Sequence, residues 1–152
     1  MGNFSKQINA YVLKTKTNTR DVFHGIVEEV FEKIVERTPV DADPTEHRGQ
    51  TKANWQIGEG QAPSGIIEQQ DPTGSATIER EVGKLENSLA DTIWIVNNEK
   101  HTRALEFGLY PKSSQSGKTV GGYSKQAPRG MVRVTLAEYP QIFKKVVREK
   151  NK

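Results

Sequence analysis

Between residues 18 and 37 the apolar side chains Val22, Phe23, Ile26, Val27, Val30, Phe31, Ile34 and Val35 recur every three or four positions. That period places them on one stripe of an amphipathic helix. Asn18 or Thr19 can cap its start, and Thr38-Pro39 ends it, because proline disfavours helical geometry in the residue before it. Upstream, Phe4, Ile8, Tyr11 and Val12 keep a similar spacing, which predicts a preceding helical arm over residues 1–17. The junction Thr15-Lys16-Thr17-Asn18-Thr19 is poor in helix formers, and a break is expected there.

Beyond Pro39 the pattern turns polar, and residues 40–49 read as a surface loop. Residues 52–58, with Trp55 and Ile57, predict a short strand that Gly58 and Gly60 end. Residues 61–77 are rich in Gly, Pro, Ser and Gln, with Ile66 and Ile67 as anchors. Ile78, Val82, Leu85 and Leu89 predict a helix over residues 78–89. Thr92-Ile93-Trp94-Ile95-Val96 has the β-branched and aromatic content of a buried strand, which Asn97-Asn98 closes. Residues 101–107 predict a helical turn stopped by Gly108, and residues 109–126 a long mobile loop. Val132, Leu136, Tyr139, Phe143, Val146 and Val147 predict a second amphipathic helix over residues 128–149, kinked at Pro140, with Phe143 buried. The alternation of Val132, Val134 and Leu136 leaves a strand open for residues 131–136. Trp55, Trp94 and Phe107 read most simply as core.

Composition narrows the classes. One domain spanning residues 1–152 is expected. With no cysteine, neither a disulfide framework nor thiolate chemistry is available. No apolar run reaches the length of a membrane span, so no membrane partner is expected. The net charge of +3 is unevenly placed: residues 1–108 carry 12 Lys/Arg against 17 Asp/Glu, and residues 109–152 carry 10 against 2. Such asymmetry suits contact with nucleic acid, stacking of an acidic face on a basic face of a neighbour, or a solvated basic tail. Lys112, Lys118, Lys125, Lys144, Lys145 and Arg148 are the candidates for facing DNA or a ring neighbour. For the basic end the alternative is a helix end satisfying its own last carbonyls.

Candidate chemistry is sparse. Gly117-Lys118-Thr119 resembles the end of a phosphate-binding loop, but Lys112 stands where that motif needs glycine. His24, His47 and His101 are too scattered to suggest a triad or zinc site, and His24 reads as a packed or capping side chain. Asp41, Asp43, Glu46 and His47 form one cluster of metal-capable groups, read either as a cation loop or as a solvated turn. Glu28 and Glu32, a helical turn apart, read as a solvated face rather than an acid/base pair. No catalytic residue, cofactor or metal ligand is assigned, and no enzymatic activity is expected.

Three stretches in order resemble the bacteriophage minor tail or tail-completion proteins of the head-to-tail neck. They are Arg37-Thr38-Pro39-Val40-Asp41 with Gly49-Gln50-Thr51-Lys52-Ala53-Asn54-Trp55-Gln56; Ile95-Val96-Asn97-Asn98 with Ala104-Leu105-Glu106-Phe107-Gly108; and Gly122-Tyr123-Ser124-Lys125-Gln126-Ala127-Pro128-Arg129-Gly130-Met131-Val132-Arg133. Two departures fall in loops: residues 42–48 split the first motif, and residues 109–120 enlarge the loop after Gly108. The resemblance implies an α+β subunit in which long N-terminal and C-terminal helices pack on a small antiparallel β-sheet. It implies a virion structural protein in a homo-oligomeric ring, hexamer or dodecamer, that joins the DNA-filled head to the tail. Partners would be other neck proteins, the head connector or stopper and the tail terminator, with genomic DNA passing nearby and assembly in the host cytoplasm. Trp55, Asn97, Asn98, Glu106, Phe107, Tyr123, Pro128, Arg129 and Met131 are the candidates for assembly contacts. The alternative function is a nucleic-acid-binding module without sequence preference.

Overall fold

A computed structural model describes residues 3–41, 47–112 and 117–151. The fold is α+β. Helix α1 (Asn3–Arg37) runs unbroken for 35 residues, through the junction where the composition predicts a break. The threonines there donate to the carbonyl four residues back, Thr15 to Tyr11, Thr17 to Leu13 and Thr19 to Thr15. Each hydroxyl thus finds its partner inside the helix, so neither Asn18 nor Thr19 acts as a cap. At the far end Thr38 donates its hydroxyl to Ile34 and its amide to Val35, and Pro39 stops the helix.

The stripe predicted for the second half of α1 is the core: Val27, Val30, Phe31, Ile34 and Val35 are buried with Trp55, Ile57, Leu85, Leu105, Met131, Ile142 and Val146. Helix α6 (Tyr139–Lys150) lies against α1, so close at Gly25 that an added Cβ would stand 2.8 Å from Val146 Cγ1. It is preceded by α5 (Val132–Ala137), which settles residues 131–136 as helical rather than strand. The two helices separate at Glu138 instead of forming one kinked helix. Pro140 sits in the first turn of α6, where its missing amide costs nothing. Arg37 holds the break from α1, donating to Thr135 Oγ1 at 2.8 Å and pairing with Glu138 at 2.6 Å.

The sheet in the core is an antiparallel pair, β1 (Trp55–Glu59) with β2 (Ile93–Asn97), registered Ile57 to Ile95. Residues 50–53, partly expected in the strand, form the short helix α2 (Gln50–Ala53) instead. The outer edge of β1 is closed by side chains of α3 (Ser75–Val82): Glu81 accepts the Ile57 amide at 2.6 Å, and Arg80 donates to Trp55 O and, just before the strand, to Ala53 O. Glu81 is 1% exposed and is held by Arg80 and Lys84 at 2.7 and 2.6 Å. Buried Asp71 organises the start of α3, accepting from Gly74 N, Thr77 N and Thr77 Oγ1. The helix expected through residue 89 becomes a 3-10 turn at Gly83–Leu85, and Leu89 is left exposed.

Helix α4 (Lys100–Phe107) ends at Gly108 (φ +66°), as predicted. Much of the stretch read as a mobile loop is folded: β3 (Thr119–Val120) pairs with β4 (Tyr123–Ser124), and Tyr110 packs on the core. Residues 113–116 lie outside the described residues. Three aromatic expectations are corrected, since Trp94, Phe107 and Phe143 are each about half exposed.

Candidate assembly interface

Glu106 is the focal group. It projects from α4 and is 6% exposed, and its carboxylate accepts the amides of Met131 (2.7 Å), Val132 (2.9 Å) and Arg133 (3.0 Å). These are otherwise orphaned donors at the start of α5, which has no side-chain cap of its own, so a negative charge there is favourable. Gly130 (φ +80°) lets the chain pass: a Cβ would meet Glu106 O and Oε2, both at 2.7 Å.

Arg133 completes the joint. Its guanidinium donates to Glu106 O and to Tyr123 Oη (3.0 Å), and it lies 5.4 Å from the Phe107 ring centroid and 5.9 Å from that of Tyr123. The Tyr123 ring packs where a Cβ on Gly108 would stand, and Gly108 has φ +66°, which together disfavour any larger residue there. Thus α4, the β3–β4 hairpin and α5 are locked by one acid, one arginine and one tyrosine.

The resembling stretches are bonded to one another. Trp55 Nε1 donates to Thr38 Oγ1 (2.7 Å), Asn97 Nδ2 to Thr51 O (2.7 Å), and Gln126 exchanges two bonds with the Val40 backbone. Asn98 donates to Pro63 O and Gly65 O, fastening residues 61–67 over the sheet. Among the candidate contact residues, Trp55, Glu106 and Met131 are buried inside the subunit, and Asn97 is engaged there. Phe107, Tyr123, Pro128 and Arg129 reach the surface. Tyr123, Pro128, Arg129, Arg133 and Val134 line an open groove of about 480 Å³.

Sequence reasoning did not single out a second surface patch. Leu136, Tyr139 and Phe143 form an exposed stripe on α5 and α6, with the Tyr139 and Phe143 rings 6.4 Å apart. Ile142 and Val146 form the buried stripe of α6. Apolar spacing places Leu136, Tyr139 and Phe143 on one stripe with Val132, Val146 and Val147; the structure divides that stripe, burying Val146 together with Ile142 and leaving Leu136, Tyr139 and Phe143 outward. Phe4, Ile8, Tyr11, Val12 and Leu13 on the first turns of α1 are exposed as well.

The basic candidates divide. Lys145 pairs with Glu29 at 2.6 Å, and Lys118 lies 3.4 Å from Asp41. Lys112, Lys125, Lys144 and Arg148 are exposed. On α1, Glu28, Glu32 and Glu36 form a row. Partial burial, and then repulsion from Glu28, Glu29 and Glu36, push the Glu32 carboxyl above its ordinary range. Burial, followed by the charge of Arg20, lowers the His24 pKa. Of the expected metal-capable cluster, Asp43 and Glu46 lie outside the described residues. Among the described residues no three such groups are placed to hold an ion, and no helix is long and apolar enough to cross a membrane. No family model, no curated protein and no solved structure matches the chain.

Proposed function

We propose that this chain is a virion structural subunit of a tailed phage, a tail-completion protein that assembles as a ring in the neck between head and tail. The observation that carries the reading is that three stretches resembling that family, far apart in sequence, are hydrogen-bonded into one frame: Thr38 with Trp55, Thr51 with Asn97, and Glu106 with Met131 to Arg133. The subunit also exposes two separate apolar surfaces, the start of α1 and the Leu136–Tyr139–Phe143 stripe. A subunit in a ring needs two different faces for its two neighbours, because head-to-tail contacts pair unlike surfaces. The role requires no turnover.

Binding of nucleic acid without sequence preference is the competing reading. It draws on Lys112, Lys125, Lys144 and Arg148, while Lys118 and Lys145 already lie beside carboxylates of the same subunit. Electron microscopy of particles made with a stop codon in this gene separates the two. DNA-filled heads and separate tails that join when purified protein is added back are expected. Finished infectious particles without the protein would overturn the structural role, and strongly salt-dependent DNA binding by the monomer would then favour the competitor.

A further inference from the structure

We infer that the free edge of β2 pairs with the same edge of a second copy of this chain, joining two sheets into one four-stranded antiparallel sheet about a two-fold axis at Trp94. Such a contact pairs like with like, whereas the faces a ring needs are unlike, so it neither uses nor requires them.

The two edges of the sheet are finished differently. On β1 the Ile57 amide is taken by Glu81, the Ile57 carbonyl by Lys84 and the Trp55 carbonyl by Arg80. Those groups point away from β2, so the ladder runs through the even-numbered residues: Gln56 with Val96, Gly58 with Trp94, and the Gly60 amide to Thr92 O. On β2 the amides and carbonyls of Ile93, Ile95 and Asn97 therefore face the far side. None of them has a hydrogen-bond partner among the described residues. Four of the five residues of β1 are buried, and none of β2 is.

Backbone donors and acceptors at this spacing select an extended chain as the occupant, because another strand presents the complementary groups at the same interval. The side chains select an identical one. Open edges are ordinarily guarded by lysine, proline or a bulge. Ile93-Trp94-Ile95-Val96 is wholly β-branched or aromatic, and no charged residue stands between Asp91 and Glu99, so a second copy of the strand meets it without like charges. Centring the pair on Trp94 sets Ile93 opposite Ile95 of the second copy and Asp91 opposite its Asn97. A centre at Ile95 would oppose Asp91 with Glu99, and a centre at Ile93 would oppose Asp91 with Ile95; both are worse. In the favoured register the two Trp94 side chains, 46% exposed in the single chain, face each other across the axis as a non-hydrogen-bonded pair, the closer kind.

Sedimentation equilibrium and amide exchange over a concentration series of the purified chain test the edge. A contact this short is weak, and wild type should dimerise with a dissociation constant of roughly 10 to 500 micromolar. As the dimer forms, the Ile93 and Ile95 amides should exchange about threefold or more slowly, while those of Trp94 and Val96, bonded to β1 throughout, change little. Trp94→Lys and Trp94→Glu place like charges across the axis. Each alone should weaken the dimer by about tenfold or more, with far-UV circular dichroism and the urea midpoint near wild type. When the two are mixed, Lys faces Glu and a heterodimer should return. A wild type still monomeric at about one millimolar would overturn the proposal and leave the edge to a strand of another protein. So would a dimer whose Ile93 and Ile95 amides stay fast, variants that dimerise like wild type, or a mixture that restores nothing. The exchange measurement needs only wild type, so it decides even where a variant fails to fold. The stop-codon experiment reads the role in the particle separately, so either idea can fail alone.

Discussion

The joint around Glu106 and the first turns of α1 solve opposite problems. At the joint the buried carboxylate meets three amides and an arginine within the same chain. Along residues 4–17 large apolar side chains are exposed, Phe4 and Tyr11 most of all. The first region spends its chemistry on folding and should be intolerant of change; the second spends nothing on folding and should be tolerant until a partner is present.

Removing the carboxylate tests that contrast most severely. Glu106→Ala strands the amides of Met131, Val132 and Arg133 at a buried helix start, and urea unfolding should show a loss of about 3 kcal/mol. A loss under about 1 kcal/mol would mean that water reaches those amides and that the joint is not closed.

Acid should attack the same kind of group elsewhere in the body. Burial alone would raise the Asp71 and Glu81 carboxyls, but hydrogen bonds outweigh it. Thr77, Gly74 and Thr73 serve Asp71, while Arg80, Lys84 and the Ile57 amide serve Glu81, so both are held below the ordinary carboxylate range. A depressed folded pKa gives stability that is fully present above the unfolded value and lost as pH falls through the folded one. Thermal unfolding should therefore weaken below about pH 4, and Asp71→Asn should flatten that slope.

A smaller effect probes one joint of the frame. Trp55→Phe removes the donor to Thr38 Oγ1 and leaves part of the buried indole's space unfilled, and should cost about 2 kcal/mol in the same unfolding measurement.

The smallest effect has the opposite sign. Glu32 lies in the acidic row and its pKa is raised, so its contribution to stability is lost as pH rises through the carboxylate range. Glu32→Gln should stabilise the protein at neutral pH by roughly a few tenths of a kcal/mol, and the gain should vanish near pH 4. An unchanged melting temperature at pH 7 would show that solvent already screens the row.

The strand pair, the end of α1 at Pro39 and the stop at Gly108 were legible because each has a local cause. Alternation, proline sterics and a left-handed glycine act on the residues themselves. The continuity of α1 was not legible, because it depends on three hydroxyls choosing their own helix over a cap. Nor was the half exposure of Trp94, Phe107 and Phe143. Hydrophobic identity says that such a side chain gains from cover, not which element supplies it. Glu106 showed as an acid beside an aromatic and a glycine, but its partners lie 25 to 27 residues on, and only the turn at Gly130 brings them to it.

The sequence by itself determined the local elements and their apolar faces, since period and turn chemistry are written residue by residue. Tertiary structure decided which faces became core and which became surface. Apolar spacing alone put Leu136, Tyr139 and Phe143 on the same face as Val132, Val146 and Val147, and only packing against α1 divides them. Close approach at Gly25 and the Arg37 bridge to Thr135 and Glu138 select the Ile142–Val146 side, and Leu136, Tyr139 and Phe143 are left facing outward.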